Sequence, residues 1–179
     1  MARVRDDARD AQRREAILEA AKACFVQFGY AKTSLDDIAT RAGISRPLIY
    51  RKFKNKEDIL SALIEHMFEG RYPKAEQALE SPVSPRERLL QVYEVLLLEP
   101  WDELMGAPMP SEIYEACSRL YPEVEAEHER RLLRYTQAVL GSRELAEVFL
   151  LAVDGLQTDL PSTRVLRKRL HVLAERFVP

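Results

Sequence analysis

The densest cluster of groups able to do chemistry lies between Arg46 and Lys56. Arg46, Arg51, Lys52, Lys54 and Lys56 occur there with no acid among them. Cationic side chains at that density suit a row of phosphates, and the planar fork of an arginine also fits paired acceptors on a flat edge. Taken alone, such a run is also what a solvated helix face looks like. The charge of the rest of the chain favours the first reading. The net charge is −2, but residues 1–60 carry 13 Lys+Arg against 9 Asp+Glu, and residues 61–179 carry 14 against 20. A basic first third on an acidic remainder is the asymmetry expected if only the first third meets a polyanion.

Other chemistries find little support. His66, His128 and His171 are isolated from one another. Glu125 and His128 share a helical face, yet Glu123, Glu127, Glu129, Arg130 and Arg131 around them read as a solvated charged helix. The sequence holds no glycine-rich phosphate loop, no nucleophile elbow and no Cys/His ligand spacing. It therefore predicts neither an enzyme nor a bound metal or cofactor. Cys24 and Cys117 sit in apolar helical patterns, which predicts buried free thiols in a reducing, cytoplasmic setting. No apolar run is long enough to span a bilayer, and the opening Met-Ala-Arg-Val-Arg-Asp-Asp lacks the apolar centre of a secretory signal. No membrane partner is expected.

The elements that must aim the basic cluster are helical. No segment sustains the alternation of a strand. Ile17, Ala21, Cys24, Phe25 and Phe28 form one apolar stripe on a helix from about Asp10 to Phe28, which Gly29 ends. Ser34-x-x-Asp37 reads as a capping box for a short helix through Arg41. Ala42-Gly43-Ile44-Ser45 reads as a tight turn. Gly43 supplies a left-handed backbone, Ser45 caps a second short helix and Pro47 lies in that helix's first turn. Two short helices joined by a glycine turn form a helix-turn-helix. If Ile38, Ile44, Ile49 and Phe53 face a core with Phe25 and Phe28, then Arg46, Pro47, Tyr50 and Arg51 face outward. Asn55 then caps a helix from Lys56 to about Gly70.

These residues resemble the TetR/AcrR family of bacterial regulators. The run Thr33-Ser34-x-x-Asp37-Ile38-Ala39-x-x-Ala42-Gly43-Ile44-Ser45-x-x-x-Ile49-Tyr50-x-x-Phe53-x-Asn55-Lys56-Glu57, preceded by Phe28-Gly29-Tyr30, falls in that family's register. The match covers about residues 11–60. It implies a DNA-reading second helix, with Ser45 at its start and Arg46 at a base-reading position, where it grips guanine O6 and N7. Pro47 and Leu48 would touch a thymine methyl, Tyr50 would donate to a phosphate, Arg51 would lie on the same face, and Lys52 stands among the DNA-binding positions where many members have His or Tyr. Lys56, and Thr33 with Ser34, would clamp phosphates at two helix starts. Pro47 and Leu48 stand where Gly and Thr are frequent in the family, so no operator sequence carries over.

Beyond Gly70, prolines set the helix ends and give candidate helices at 74–80, 86–99, 101–106, 111–120, 122–140, 142–159 and 162–178. Pro100 to Pro110 reads as an irregular connection. Around it Tyr93, Leu97, Trp101, Met105, Met109, Tyr114 and Cys117 supply apolar and aromatic groups, suited either to an effector pocket or to ordinary core. The last two helices carry stripes through Leu145, Phe149, Ala152 and Leu156, and through Leu166, Leu170, Leu173 and Phe177. They look like the family's dimerisation surface, or they face the monomer's own core.

The expectation is an all-α chain, with a three-helix helix-turn-helix domain over 1–55 and a helical effector-binding and dimerisation domain over 56–179. The resemblance implies a homodimeric repressor on a pseudo-palindromic operator in double-stranded DNA, released by a small apolar or amphipathic effector. The alternative is an effector-independent architectural or protein-interaction module on the same fold.

Overall fold

The computed structural model describes the backbone of residues 2–107, 110–120 and 122–178, and the side chains of residues 9–107, 110–116 and 126–178. Every regular element among them is helical: α1 (Ala2–Phe28), α2 (Leu35–Arg41), α3 (Arg46–Lys52), α4 (Lys56–Glu69), α5 (Tyr72–Leu79), α6 (Pro85–Tyr93), a π turn (Glu94–Leu98), α7 (Glu99–Met105), α8 (Pro110–Leu120), α9 (Pro122–Leu140), α10 (Arg143–Gly155) and α11 (Thr163–Phe177). Among the described residues no helix is long and apolar enough to cross a membrane.

The chain forms two compact units. One comprises Met1–His66 with Ala107–Tyr121, the other Met67–Gly106 with Pro122–Pro179. The change of unit falls inside α4, between His66 and Met67, and α8 belongs with the first unit.

In the first unit α1 buries Ile17, Leu18, Ala21, Cys24 and Phe25 against Ile38 and Ala39 of α2, Ile49 of α3, Phe53, and Ile59 and Leu60 of α4. Ala116 of α8 joins the same core. Phe28 does not enter it and is 45% exposed. The chain turns at Gly29, with φ at 83°, and Tyr30 takes the inward place, its ring centroid 5.3 Å from that of Phe25. Gly43 takes the expected left-handed backbone, with φ at 65°. A side chain there would meet nothing within 4 Å, so conformation rather than space calls for glycine.

The second unit packs α5, α6, α7, α9, α10 and α11 around Leu89, Val92, Tyr93, Leu96, Trp101, Phe149, Leu166 and Leu170. Pro100 does not break the helix before it. The π turn comes first, and the Glu99 N–H reaches back to the Glu94 carbonyl. That wider turn takes up the proline, which has no N–H to offer and whose ring would crowd the preceding turn. Trp101 is thereby held in the core, where its indole Nε1 donates to the Pro161 carbonyl at 2.8 Å.

Candidate nucleic-acid interface

The α2–turn–α3 unit is built by local bonds. Ser34 and Asp37 close the expected capping box: the Asp37 N–H donates to Ser34 Oγ at 3.2 Å and the Ser34 N–H to Asp37 Oδ2 at 2.8 Å. Bonds from the Ser34 hydroxyl and N–H hold the Asp37 carboxyl below its ordinary range. The Ile44 N–H donates to the Ala39 carbonyl at 3.0 Å, which closes the turn and sets the start of α3.

α3 then divides by face. Ile49 is buried, Leu48 and Lys52 are half-buried, and Ser45, Arg46, Pro47, Tyr50 and Arg51 are exposed. Tyr50 is 53% exposed, which is unusual for a large aromatic residue on a short helix. Ser45 occupies the N-cap position but makes no side-chain cap bond, so Pro47 and the extended backbone at Ser45 define the helix start. Two of the outward cations are paired within the unit: Arg46 with Asp36 of α2, and Lys52 with Asp10 of α1. The Lys52 ammonium keeps the Asp10 carboxyl low.

Two expected phosphate contacts have other duties. Thr33 is 2% exposed, and its hydroxyl donates to the Gly29 carbonyl at 2.8 Å. It closes the α1–α2 turn from inside and has no surface to offer a phosphate. The Lys56 ammonium donates to the carbonyls of Tyr30 at 2.7 Å and Ala31 at 3.2 Å, and lies 4.4 Å from the centroid of the Tyr30 ring. The same loop receives a bond from the opposite direction, where the Ala31 N–H meets the Glu112 carboxylate of α8. Sequence reasoning missed Asp36, Asp10 and Glu112 as partners. Asp36 and Asp10 carry the wrong charge for a DNA-facing search, and Glu112 lies 81 positions from the residue it holds.

Residues 17–63 match the family model for bacterial regulatory proteins of the tetR family. The structure as a whole is similar to SCO4454, a TetR-family transcriptional regulator from Streptomyces coelicolor. The TM-score is 0.69 at 15% identity, covering 94% of this chain and 95% of that one. The helix-turn-helix segment of the chain is thus similar to that of the tetR family of bacterial regulatory proteins. A probable HTH-type transcriptional regulator of Pseudomonas putida, ArpR, is 37% identical over 91 residues, which is 48% of this chain and 43% of ArpR. The chain thus spans less than half the length of the first curated relatives that it matches. SmeT, the repressor of the Stenotrophomonas maltophilia multidrug efflux pump SmeDEF, shares the fold with a TM-score of 0.63 at 23% identity, over 92% of this chain and 87% of SmeT. These relatives are transcriptional regulators rather than enzymes.

The described effector candidates are divided between the two units. Tyr93 and Trp101 are buried in the core of the second unit with their polar atoms bonded internally. The Tyr93 hydroxyl lies 2.8 Å from Thr136 Oγ1, and burial pushes the phenol well above its ordinary range. Tyr93 and Trp101 are both core residues of the second unit. Leu97 and Met105 are half-buried against the same core. Tyr114 is exposed and belongs to the first unit. Met109 and the side chain of Cys117 lie outside the described residues.

The two C-terminal stripes divide between buried and outward positions. Phe149, Leu166 and Leu170 are fully buried in their own monomer, and Leu156, Leu173 and Phe177 pack on the same core. Phe149 meets Tyr93 and Phe177 edge-on, at 5.4 Å and 5.1 Å between centroids. Outside the core lie Leu145 of the expected stripe with Val148 and Leu151 on α10, Ala152 half-buried beside them, and Val165 and Val172 on α11. Leu145, Val148 and Ala152 follow the i, i+3, i+7 spacing of one helix face, adjacent to the buried one.

Proposed function

We propose that this chain is a homodimeric transcriptional repressor that binds a pseudo-palindromic operator through α3 and is released by a small apolar or amphipathic ligand. The division of α3 carries the reading: Ile49 is locked in the core, and Arg46, Pro47, Tyr50 and Arg51 project from the opposite face. That face supplies a bidentate donor, apolar groups and a phenol at the end of a helix that fits a major groove. One such helix makes too few base contacts for specificity. A two-fold pair reads half-sites about 34–36 Å apart or at multiples of that distance. The outward Leu145, Val148, Leu151, Val165 and Val172 offer a surface for the second copy. Repression is carried over from the relatives, among which SmeT is a repressor, and ligand release from the resemblance of residues 11–60.

The deciding experiment is selection of bound duplexes from a random pool, followed by gel-shift titration. An enriched inverted repeat with that spacing supports the reading, and an unenriched pool rejects it. A second reading, an effector-independent DNA-binding architectural or protein-interaction module, is favoured by one observation. The polar atoms of Tyr93 and Trp101 already have internal partners, which removes the most obvious handles for a ligand. A thermal-shift screen of metabolites, followed by release of the selected duplex, separates the two. A ligand that stabilises the protein and releases DNA supports the first, and no response across the panel supports the second.

A further inference from the structure

The base-reading candidate Arg46 is held by a carboxylate from the neighbouring helix. Its Nε donates to Asp36 Oδ1, and its Nη2 pairs with Asp36 Oδ2. Asp36 lies in the first turn of α2, whose start is fixed one residue further on by the Ser34–Asp37 capping box. The carboxylate therefore stands on a rigid mount, whereas Arg46 alone would swing on several rotatable bonds at an exposed position. The pairing takes the Nε edge of the guanidinium. A planar guanidinium has five N–H donors, and engaging one edge leaves the outer pair, on Nη1 and Nη2, pointing away. Two outer donors are what guanine O6 and N7 accept.

We propose that Asp36 is a positioning residue for sequence recognition: it fixes the Arg46 fork so that the outer edge reads one guanine. This rests on the reading of α3 as the DNA-contacting helix. The pairing has a second consequence of opposite sign. Asp36 sets a negative charge beside the phosphates, which weakens sequence-independent binding. A residue that only restrained Arg46 would depress specific and random binding together. A positioning residue raises discrimination while lowering random affinity, and this separates the two roles.

The test compares wild type, Asp36→Asn, Asp36→Glu and Arg46→Ala by fluorescence anisotropy. The probes are a random-sequence duplex, the duplex selected by the wild type, and that duplex changed at the base pair whose preference Arg46→Ala abolishes. Asp36→Asn is expected to bind the random duplex a few-fold more tightly, which also shows that the domain is folded. Its discrimination at that one base pair is expected to fall roughly tenfold. Asp36→Glu keeps the charge but moves the carboxylate by one methylene. It is expected to lose discrimination without gaining random affinity. Discrimination within about twofold of wild type in either folded variant overturns the proposal, whatever happens to overall affinity. If the wild type itself prefers no sequence, the reading of α3 fails first and takes this inference with it.

Discussion

The ammonium of Lys56 caps the loop that carries Tyr30: it donates to the Tyr30 carbonyl at 2.7 Å and to that of Ala31 at 3.2 Å, and it lies over the Tyr30 ring. Tyr30 in turn donates its hydroxyl to Glu57 at 3.2 Å. The start of α4 and the α1–α2 loop are thus fastened in both directions. Lys56→Met is expected to lower stability by about 1–2 kcal/mol, the scale of partly exposed charge-assisted bonds. Urea unfolding of the full chain checks this. An unchanged midpoint, with weakened DNA binding alone, would return Lys56 to the role of a simple phosphate contact.

Tyr50 gives the opposite case. Its ring is half in solvent, outside the core of the first unit. Tyr50→Phe is expected to leave the melting temperature unchanged and to weaken binding to selected and random duplexes by the same several-fold factor. Arg51→Ala is expected to reduce the slope of log affinity against log salt by about one, the signature of one lost phosphate contact. Anisotropy titrations across a salt series measure both.

What the sequence made legible was local. Ser34 and Asp37 are three positions apart, and Gly29 and Gly43 act on their own backbone, so the α2–turn–α3 unit could be read from spacing alone. What escaped was distant or two-sided. Thr33 and Lys56 have the right chemistry for phosphate, and only the fold reveals that backbone carbonyls already hold them. Phe149, Leu166 and Leu170 showed that α10 and α11 each have an apolar face, but periodicity cannot say whether a face meets its own core or a partner. Pro100 reads as a helix end by the usual rule, and a π turn of five residues absorbed it.

In the proposed dimer, α10 would separate folding from assembly within one helix. Leu151 is 72% exposed and Phe149 is fully buried two positions earlier. Leu151→Glu, combined with Val148→Glu, is expected to leave the monomer folded and to shift sedimentation from dimer to monomer. Phe149→Ala is expected to cost about 3–5 kcal/mol of stability, as truncation of a core phenylalanine does. A double variant that still sediments as a dimer, with unchanged concentration dependence, would place the interface elsewhere.

His128 gives the second unit a defined response to acid. Its ring lies 3.9 Å from that of Phe68, centroid to centroid, and its Nδ1 is 3.4 Å from the Tyr72 hydroxyl. Burial among these groups lowers its pKa from 6.5 to about 4. Burial disfavours the imidazolium, so between pH 4 and 6.5 the unfolded chain binds a proton that the folded chain does not. Stability is therefore fully present above about pH 6.5 and falls as the pH drops toward 4, below which this group contributes no further change. The full effect is on the order of 3 kcal/mol. His128→Phe keeps an aromatic ring against Phe68 and has no proton to bind. Urea midpoints measured from pH 7 to pH 4 should fall more steeply for wild type than for His128→Phe, and parallel curves would show that His128 titrates normally in the folded chain.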